Sequence, residues 1–270
     1  EGQASYDALE VIYKFPYLLE LRDIEDINSD ALESLYNKVV NEGEHLSELE
    51  KMQLQKMWII QMNNAKAVRN RHALIRSNLI KEVQRLDEER IQHEDKSPIK
   101  ISSIACGSAM AVSEAVWWCK KNGIQSEMLV NLSDQNPKAI NRAIGYAHSL
   151  GVMVNGSTDN FVSPTQRPTL EAINNNSDIV EIAGLIDYFK DPTIRGFWTS
   201  CNEMLKKGGK LITCNIMPNP EQPILHDLIG WMQMRYRDVD AIKSLSFSSP
   251  ERTHIITEPQ NIHTIMIVEK

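Results

Sequence analysis

A short loop of small side chains is the part of the sequence best suited to holding a ligand. It follows the apolar run 101–105 and consists of Ala105, Cys106, Gly107, Ser108 and Ala109. Small residues at a strand-to-helix turn let the backbone approach a ligand closely, and glycine also permits positive φ. No Gly-Lys-Ser or Gly-Lys-Thr follows, which disfavours phosphate transfer. The loop therefore indicates a nucleotide-type ligand.

Polar residues follow the next two apolar runs. Asp134, with Gln135 beside it, is placed where a carboxylate could accept hydrogen bonds from both hydroxyls of a ribose. Asp159 and Asn160 belong to a polar loop suited to the edge of an adenine. The structural alternatives are helix capping for Asp134 and an exposed loop for Asp159 and Asn160.

The elements that must position these residues alternate between strand and helix. Apolar runs predict buried parallel strands at 101–105, 128–132, 152–154, 178–182 and 210–216. The segments between them predict helices at 109–121, 137–149 and 194–206. Two β-prone runs, 253–257 and 262–268, predict a terminal antiparallel hairpin. A doubly wound α/β sheet is the expected fold, with its ligand at the carboxyl ends of the strands.

The first third of the chain has helical periodicity instead. Apolar residues recur at helical spacing before Pro16, a second helix is expected after Ser29 or Asp30, and a third segment runs from about 47 to 92 with a break near 63–64. The charged stretch 93–98 is the expected boundary. We therefore predict a helical cap over residues 1–94 and a ligand-binding domain over residues 98–270.

Composition excludes several classes of protein. Hydrophobic residues make up 42% of the chain and charged residues 24%, as in ordinary globular proteins. The net charge is −7 without a dense basic tract, which disfavours nucleic acid as a partner. No apolar stretch is long enough to cross a membrane, and no signal pattern is present, so we expect a cytosolic protein. The four cysteines and seven histidines are scattered, so we expect no metal site.

Two later motifs narrow the choice among nucleotide-binding sheets. Residues 183–189 are Ala-Gly-Leu-Ile-Asp-Tyr-Phe, and residues 205–211 are Leu-Lys-Lys-Gly-Gly-Lys-Leu, a helix ended by glycine before a strand. Over about residues 98–270 this order resembles the class I S-adenosylmethionine-dependent methyltransferases. An NAD-binding Rossmann domain usually lacks both the Gly-Gly turn and the terminal hairpin. The resemblance implies a Rossmann-like seven-stranded sheet with a C-terminal antiparallel hairpin.

Within that superfamily the chain is similar to the group that makes the methyl ester of 3-hydroxypalmitic acid. The shared features are the Ala-Cys-Gly loop, the segment 184–189 and the segment 231–238, Trp-Met-Gln-Met-Arg-Tyr-Arg-Asp. This similarity is weaker than the similarity to the superfamily.

The resemblance implies S-adenosyl-L-methionine as the cofactor and assigns residues to it. The expected cofactor-binding residues are Arg69, Ala105, Cys106, Gly107, Ser108, Asp134, Gln135, Asp159, Asn160, Ala183 and Gly184. Arg69 or Arg71 would reach the cofactor carboxylate, the alternative being a solvated helix face.

The substrate residues expected near the transferred methyl group are Asp187, Tyr188, Arg235 and Tyr236. Packing of the following helix is the alternative for Tyr188, and surface solvation is the alternative for Arg235. His226 is a weaker candidate for a base, because a lone histidine is more often structural.

One departure from the family pattern concerns the strand before the loop. Methyltransferases often carry an acidic residue two positions before the first glycine, and this chain has Ser103 there. The flanking glycines are replaced by Ala105 and Ala109. Contact with the amino group of the methionine part is therefore expected from backbone carbonyls or from another segment.

The leading functional hypothesis is methylation of a small molecule, either a carboxylic acid or a hydroxyl. A carboxylate is already a nucleophile at neutral pH, which suits a site without an evident catalytic dyad. The alternatives are aminocarboxypropyl transfer from the same cofactor, as in nicotianamine-type synthases, and a non-catalytic subunit with the same fold. We also expect a small-molecule partner rather than nucleic acid or membrane, and a homodimer is an open expectation.

Overall fold

Seven strands form one mixed sheet in the part of the chain that the structure describes. The computed structural model describes residues 24–228, 230–231 and 233–270, so the helix predicted before Pro16 lies outside the described residues. The strands are β1 (Ile99–Ile104), β2 (Met128–Ser133), β3 (Asn155–Ser157), β4 (Ser177–Ile182), β5 (Leu205–Ile216), β6 (Thr253–Thr257) and β7 (His263–Glu269). Their order across the sheet is β3-β2-β1-β4-β5-β7-β6. The first five are parallel, whereas β7 is antiparallel to both β5 and β6, which confirms the terminal hairpin.

Helices cover both faces of this sheet and extend beyond its edge. They are α1 (Ser29–Tyr36), α2 (Glu48–Lys56), α3 (Asn63–Gln92), α4 (Met110–Lys121), α5 (Pro137–Ser149), α6 (Arg167–Asn174), α7 (Asp191–Met204), α8 (Gln222–Asp227) and α9 (Val239–Lys243). The single-turn π-helical segments Asn37–Asn41 and Met57–Gln61 extend α1 and α2. None of the described helices is long and apolar enough to cross a membrane.

Two apolar layers hold the sheet between its helices. On one face, the second half of α3 packs with α4 and α5 against strand residues such as Ile101, Ile179 and Ile212. On the other face, Leu170 of α6 and Phe197 of α7 are completely buried against Val180 and Leu211. Alternate residues of the buried strands thus face opposite layers, as a doubly wound sheet requires.

The N-terminal helices pack on segments that follow β5 and β6. Met57, Trp58 and Ile59 are buried with Leu225 of α8 and with Ile262, next to β7. Both carboxylate oxygens of Glu221 accept hydrogen bonds from the first backbone N–H groups of α3, at 2.8 Å from Asn63 and 2.7 Å from Asn64. This contact satisfies two donors that a helix start leaves open. The division into a cap and a binding domain stays a prediction.

Several predicted boundaries were wrong. The third strand is not at 152–154 but at Asn155–Ser157, because these are the residues that pair with β2. Gly156 also lies close to α5, where a Cβ would be 2.6 Å from Cδ1 of Ile144. The helix predicted at 194–206 is Asp191–Met204, and β5 begins at Leu205 rather than 210. The Gly-Gly turn lies inside this strand segment, where a Cβ on Gly209 would be 3.0 Å from the carbonyl oxygen of Asp178. The break near 63–64 was right, since Met62 is extended and α3 begins at Asn63.

Candidate active site

The loop after β1 adopts a left-handed backbone at three alternate positions. Ala105 has φ +51°, Gly107 +53° and Ala109 +48°. Alanine pays a steric cost in this region that glycine does not. The two alanines therefore keep a glycine-type backbone shape, and the loop retains the small, close-approach surface that its sequence predicts. Cys106 and Ser108 are partly buried in the same loop.

Asp134 lies directly beside this loop. β1 and β2 are paired up to Ile104 and Ser133, so the residues after each strand emerge together. The backbone N–H of Gly107 donates to Oδ2 of Asp134 at 3.0 Å, and the N–H of Asn136 donates to Oδ1 at 2.9 Å. The carboxylate therefore shapes the loop and the start of α5. Asn136, rather than Asp134, caps α5.

The remaining residues predicted to touch the nucleoside lie in ordered turns near the same edge. Gln135 is exposed next to Asp134. The Asp159 carboxylate accepts from the hydroxyl of Ser157, and Oδ1 of Asn160 accepts from the N–H of Val162 at 2.9 Å. Both residues are partly buried. Their contact with an adenine stays a prediction.

The segment after β4 approaches the first half of α3. Gly184, which follows Ala183, has φ +78°, and its N–H donates to Sγ of Cys214 on β5 at 3.2 Å. A Cβ on Gly184 would lie 3.9 Å from Nη1 of Arg71. The Arg71 guanidinium on α3 is thus brought to the carboxyl end of β4.

Arg71 rather than Arg69 belongs to this buried polar group. Arg71 is 5% exposed, and its charge lowers the pKa values of Glu181, Asp187 and Cys214, all of which burial raises. Arg69 is partly buried and donates to the carbonyl oxygen of Ile59 at 3.0 Å. The contact predicted between Arg69 and the cofactor is not tested by this arrangement.

Glu181 is a functional candidate that the sequence analysis missed. It is paired across β1 and β4 with Ser103, whose hydroxyl donates to its Oε2. Burial raises the pKa of Glu181 to about 7, opposed by Ser103 and by the charge of Arg71. The signal was present as an acidic residue inside the apolar run 178–182, where a carboxylate needs a specific partner.

Asp187 connects its own turn, which also carries Tyr188, to the end of β5 and to the segment around Arg235. Its carboxylate accepts from the N–H of Ile216 at 2.9 Å, and its carbonyl oxygen accepts from the N–H of Arg235 at 2.6 Å. Burial raises the pKa of Asp187 to about 6, while the Ile216 N–H, Arg71 and Arg237 oppose this rise. This carboxylate therefore has both a structural role and the capacity to take up a proton near neutral pH.

Tyr236 places a buried hydroxyl close to Asp187. Its oxygen is shielded from solvent and makes no hydrogen bond to any described residue. Burial raises the pKa of Tyr236, and the negative charge of Asp187 and the nearby Tyr188 raise it further. The phenol is therefore protonated at neutral pH and available as a donor. Tyr188 is 37% exposed beside it.

The two arginines of this segment differ in their surroundings. Arg235 is exposed, whereas the Arg237 side chain is 6% exposed and donates to Asp191 at 2.9 Å and to the carbonyl oxygens of Ile186 and Phe189. Arg237 is therefore a structural clamp on the turn that carries Asp187 and Tyr188. Arg235 is the arginine whose side chain can meet a ligand at the surface.

The N-terminal helices reach this side of the site through an aromatic contact. Trp231 packs edge-on against Trp58, with ring centroids 5.6 Å apart. His226 is on the surface, where Nδ1 pairs with Asp227, so the structure gives it no role as a base in the buried group. Among the described residues, no cluster of histidine, cysteine or acidic side chains could hold a metal ion.

The sheet order and the reversed β7 decide the fold, and comparison with known proteins agrees. The chain has the fold of the class I S-adenosylmethionine-dependent methyltransferases. It superposes on S-adenosylmethionine-dependent methyltransferase SibL in its apo form with a TM-score of 0.53, over 99% of this chain and 75% of that one, at 11% identity. A protein assigned as an O-methyltransferase from Nostoc punctiforme gives 0.50 over 70% and 55%, at 15% identity.

A third structure is similar over nearly the whole chain. A possible exported protein from Bordetella parapertussis superposes with a TM-score of 0.61, at 14% identity, and the match covers 98% of this chain and 86% of that protein. No family model and no curated protein matches the sequence. At these identities the similarity shows the methyltransferase fold alone.

The residues of this chain fit the cofactor of that fold. The left-handed loop places small residues at the carboxyl end of β1, where its N–H groups at Cys106, Gly107 and Ala109 donate within the protein. Asp134 retains free lone pairs beside it. Deeper in the site, Glu181 and Arg71 offer a negative and a positive group. In a ligand that joins a nucleoside to a zwitterionic amino acid, the nucleoside would meet Asp134. Its charged end would meet Glu181 and Arg71.

Proposed function

We propose that this protein is an S-adenosylmethionine-dependent methyltransferase that acts on an oxygen of a small molecule, either a carboxylate or a hydroxyl. The observation that carries the proposal is the contact of the left-handed loop with Asp134 at the carboxyl ends of β1 and β2. Such a junction combines a close backbone approach with an acceptor suited to a ribose.

The residues assigned to the cofactor follow its parts. The loop 105–109 would lie along its centre, Asp134 and Gln135 would face the ribose, and Asp159 with Asn160 would border the adenine. Bound S-adenosylmethionine supplies a methyl carbon activated by a positively charged sulfur. The protein has to align the acceptor oxygen and exclude water.

Asp187, Tyr188 and Tyr236 are the residues that would meet the acceptor. The buried hydroxyl of Tyr236 would donate to the acceptor oxygen and fix its direction. A hydroxyl substrate needs to lose a proton, and Asp187, whose pKa is about 6, can receive it. A carboxylate substrate needs no base, and Arg235 would then pair with it at the entrance. A cytosolic location and a homodimer stay predictions.

Cofactor binding and product analysis test the proposal. We expect purified protein to bind S-adenosylhomocysteine in a calorimetric titration and to form it from S-adenosylmethionine with an acidic or hydroxylated acceptor. Methylthioadenosine as the product would show aminocarboxypropyl transfer instead. Absence of binding to either nucleoside would favour a non-catalytic subunit.

A further inference from the structure

The acidic side chain missing from β1 is present on the neighbouring strand. In the class I methyltransferases that this chain resembles, an acidic residue often stands at the position of Ser103. In this chain Ser103 is paired in register with Glu181 on β4, and the serine hydroxyl donates to the glutamate carboxylate. The two side chains therefore lie on the same face of the sheet, and the carboxylate has moved by one strand.

The position of Glu181 in the sheet distinguishes it from a surface acid. Two residues before it, Ile179 is fully buried under α3, and Glu181 itself is 4% exposed. Its negative charge, with that of Asp134, adds to the burial that raises the pKa of Cys106 in the loop. Because its partner Ser103 is two residues before Ala105, Glu181 lies next to the start of the loop.

Glu181 differs from another buried glutamate, Glu82, in its charged partners. Ser103 of β1 donates its hydroxyl and Arg71 of α3 contributes positive charge, but no salt bridge joins Glu181 to a described residue at contact distance. The charge of Arg71 also acts on Asp187 and Cys214, and on His263 of β7, whose pKa burial lowers well below its usual value. By contrast, Glu82 is equally buried and is met by both Arg85 and Lys210. A buried carboxylate is costly without such a partner.

We propose that Glu181 receives the ammonium group at the amino-acid end of the cofactor, and that Ser103 is the residue that positions it. The inference rests on the proposed function and names a contact that this function leaves open. A serine and a glutamate on paired strands thus replace a single acid on β1. Arg71, beside Gly184, would supply the positive charge for the carboxylate of the same amino acid.

Two nucleosides separate this contact from the rest of the site. S-adenosylhomocysteine carries the ammonium group, and methylthioadenosine lacks the whole amino-acid end. We expect Glu181→Gln to weaken calorimetric binding of S-adenosylhomocysteine by at least about tenfold, since a charged hydrogen bond is lost, and to leave methylthioadenosine binding within about threefold. Glu82→Gln, a second buried glutamate changed in the same way, should alter neither affinity.

The outcomes of this experiment are distinct. Wild-type protein that binds neither nucleoside would overturn the proposed function and this inference together. Wild-type binding of S-adenosylhomocysteine with unchanged affinity in Glu181→Gln, or an equal loss for both nucleosides, would overturn the inference alone. A thermal unfolding scan of each variant confirms that it is folded before the titration.

Proton release gives a second measurement. Glu181 is mostly protonated at pH 6, because its pKa is about 7. An ammonium group beside it favours the ionised form, so binding of S-adenosylhomocysteine at pH 6 should release nearly one proton more in the wild type than in Glu181→Gln. Titrations in two buffers of different ionisation enthalpy measure this difference, and equal proton release in the two proteins would contradict the contact.

Moving the carboxylate from position 181 to position 103 tests whether the two positions can serve the same ammonium group. The double variant Ser103→Asp with Glu181→Ser returns the acid to β1. We expect it to bind S-adenosylhomocysteine at least about fivefold more tightly than Glu181→Ser alone, because the carboxylate reaches the same group. Equal affinities would overturn the equivalence of the two positions. Ser103→Ala should move the pH midpoint of binding upward, whereas Ser103→Thr should keep it, since threonine retains the hydroxyl.

Discussion

The backbone N–H of Gly107 donates a hydrogen bond to Oδ2 of Asp134 across 3.0 Å. The other oxygen of this carboxylate accepts from Asn136 at the start of α5. One side chain therefore connects the loop after β1 with the helix after β2. Since each carboxylate oxygen has two lone pairs, the same residue can hold the loop and still accept from a ribose.

Removal of this carboxylate should weaken cofactor binding. We expect Asp134→Ala to reduce the free energy of S-adenosylhomocysteine binding by about 1–3 kcal/mol, because a charged acceptor is lost and the loop loses its anchor. Calorimetric titration measures the change. Asp240→Ala, an exposed acid on α9, is the control and should bind like the parent. An unaltered affinity of Asp134→Ala would contradict the assigned ribose contact.

Because Ala105 has a left-handed backbone, its replacement by glycine should increase the stability of the protein. Ala105→Gly should raise the free energy of unfolding by about 0.5–1 kcal/mol, because glycine adopts the φ of +51° without a clash. Ala111→Gly within α4 is the matched control and should lower it by about 1 kcal/mol. Urea unfolding of both variants provides the comparison. A loss of stability in Ala105→Gly would show that this backbone shape is not strained.

Substitution of Arg237 should affect stability, whereas substitution of Arg235 should affect substrate use. Arg237→Ala should lower the free energy of unfolding by about 2–4 kcal/mol, because it leaves the carbonyls of Ile186 and Phe189 without their buried donor. Arg235→Ala removes an exposed side chain and should change unfolding by less than about 0.5 kcal/mol. Its kcat/KM for an acidic substrate should fall, with cofactor affinity retained. The reverse assignment of the two effects would contradict the clamp.

Stability should fall as pH rises through the range set by the buried acids. Burial raises the pKa of Glu181 to about 7 and that of Asp187 to about 6, both above their unfolded values. Between about pH 4.5 and 6 the native state therefore holds protons that the unfolded state has lost, and each group lowers the free energy of unfolding by up to about 1.4 kcal/mol per pH unit as pH rises. The stabilisation from these bound protons is fully present only at pH values below the unfolded pKa of each group. It is lost as pH rises through the folded pKa values of Glu181 and Asp187.

Denaturant unfolding from pH 5 to 8 measures this slope. Glu181→Gln and Asp187→Asn should each flatten it, because the amide does not titrate. Glu50 has the opposite sign, since its hydrogen bonds to Ser47 and Lys38 lower its pKa to about 2, and its stabilisation is lost only in stronger acid. An unchanged slope in both variants would contradict the buried protonation.

The sequence predicted the architecture well because strand and helix periodicity are local signals. The alternation after residue 98 and the terminal hairpin each correspond to observed elements, whereas the predicted Gly-Gly turn lies inside β5. The third strand was misplaced because its apolar neighbours, Val152 and Val154, precede it, while pairing with β2 selects residues 155–157. That selection is made by a tertiary contact, which periodicity does not contain.

The site was predicted less completely than the fold. Cys106, Gly107 and Asp134 lie together as their positions after β1 and β2 imply. The pairing of Ser103 with Glu181 depends on strand order, since β4 adjoins β1 although 72 residues separate Ile104 from Ser177. Likewise, the choice between Arg69 and Arg71 depends on which side of α3 faces the sheet.

The carboxylate of Glu221 at the start of α3 has a consequence for the order of folding during synthesis. Met57, Trp58 and Ile59 are synthesised well before the residues that cover them, Leu225 and Ile262. Likewise, the carboxylate that accepts from the N–H of Asn63 belongs to Glu221, which is 158 residues later in the chain. We therefore expect this apolar surface to stay uncovered until the segment up to Ile262 has been synthesised. During that time it is open to aggregation and to chaperones.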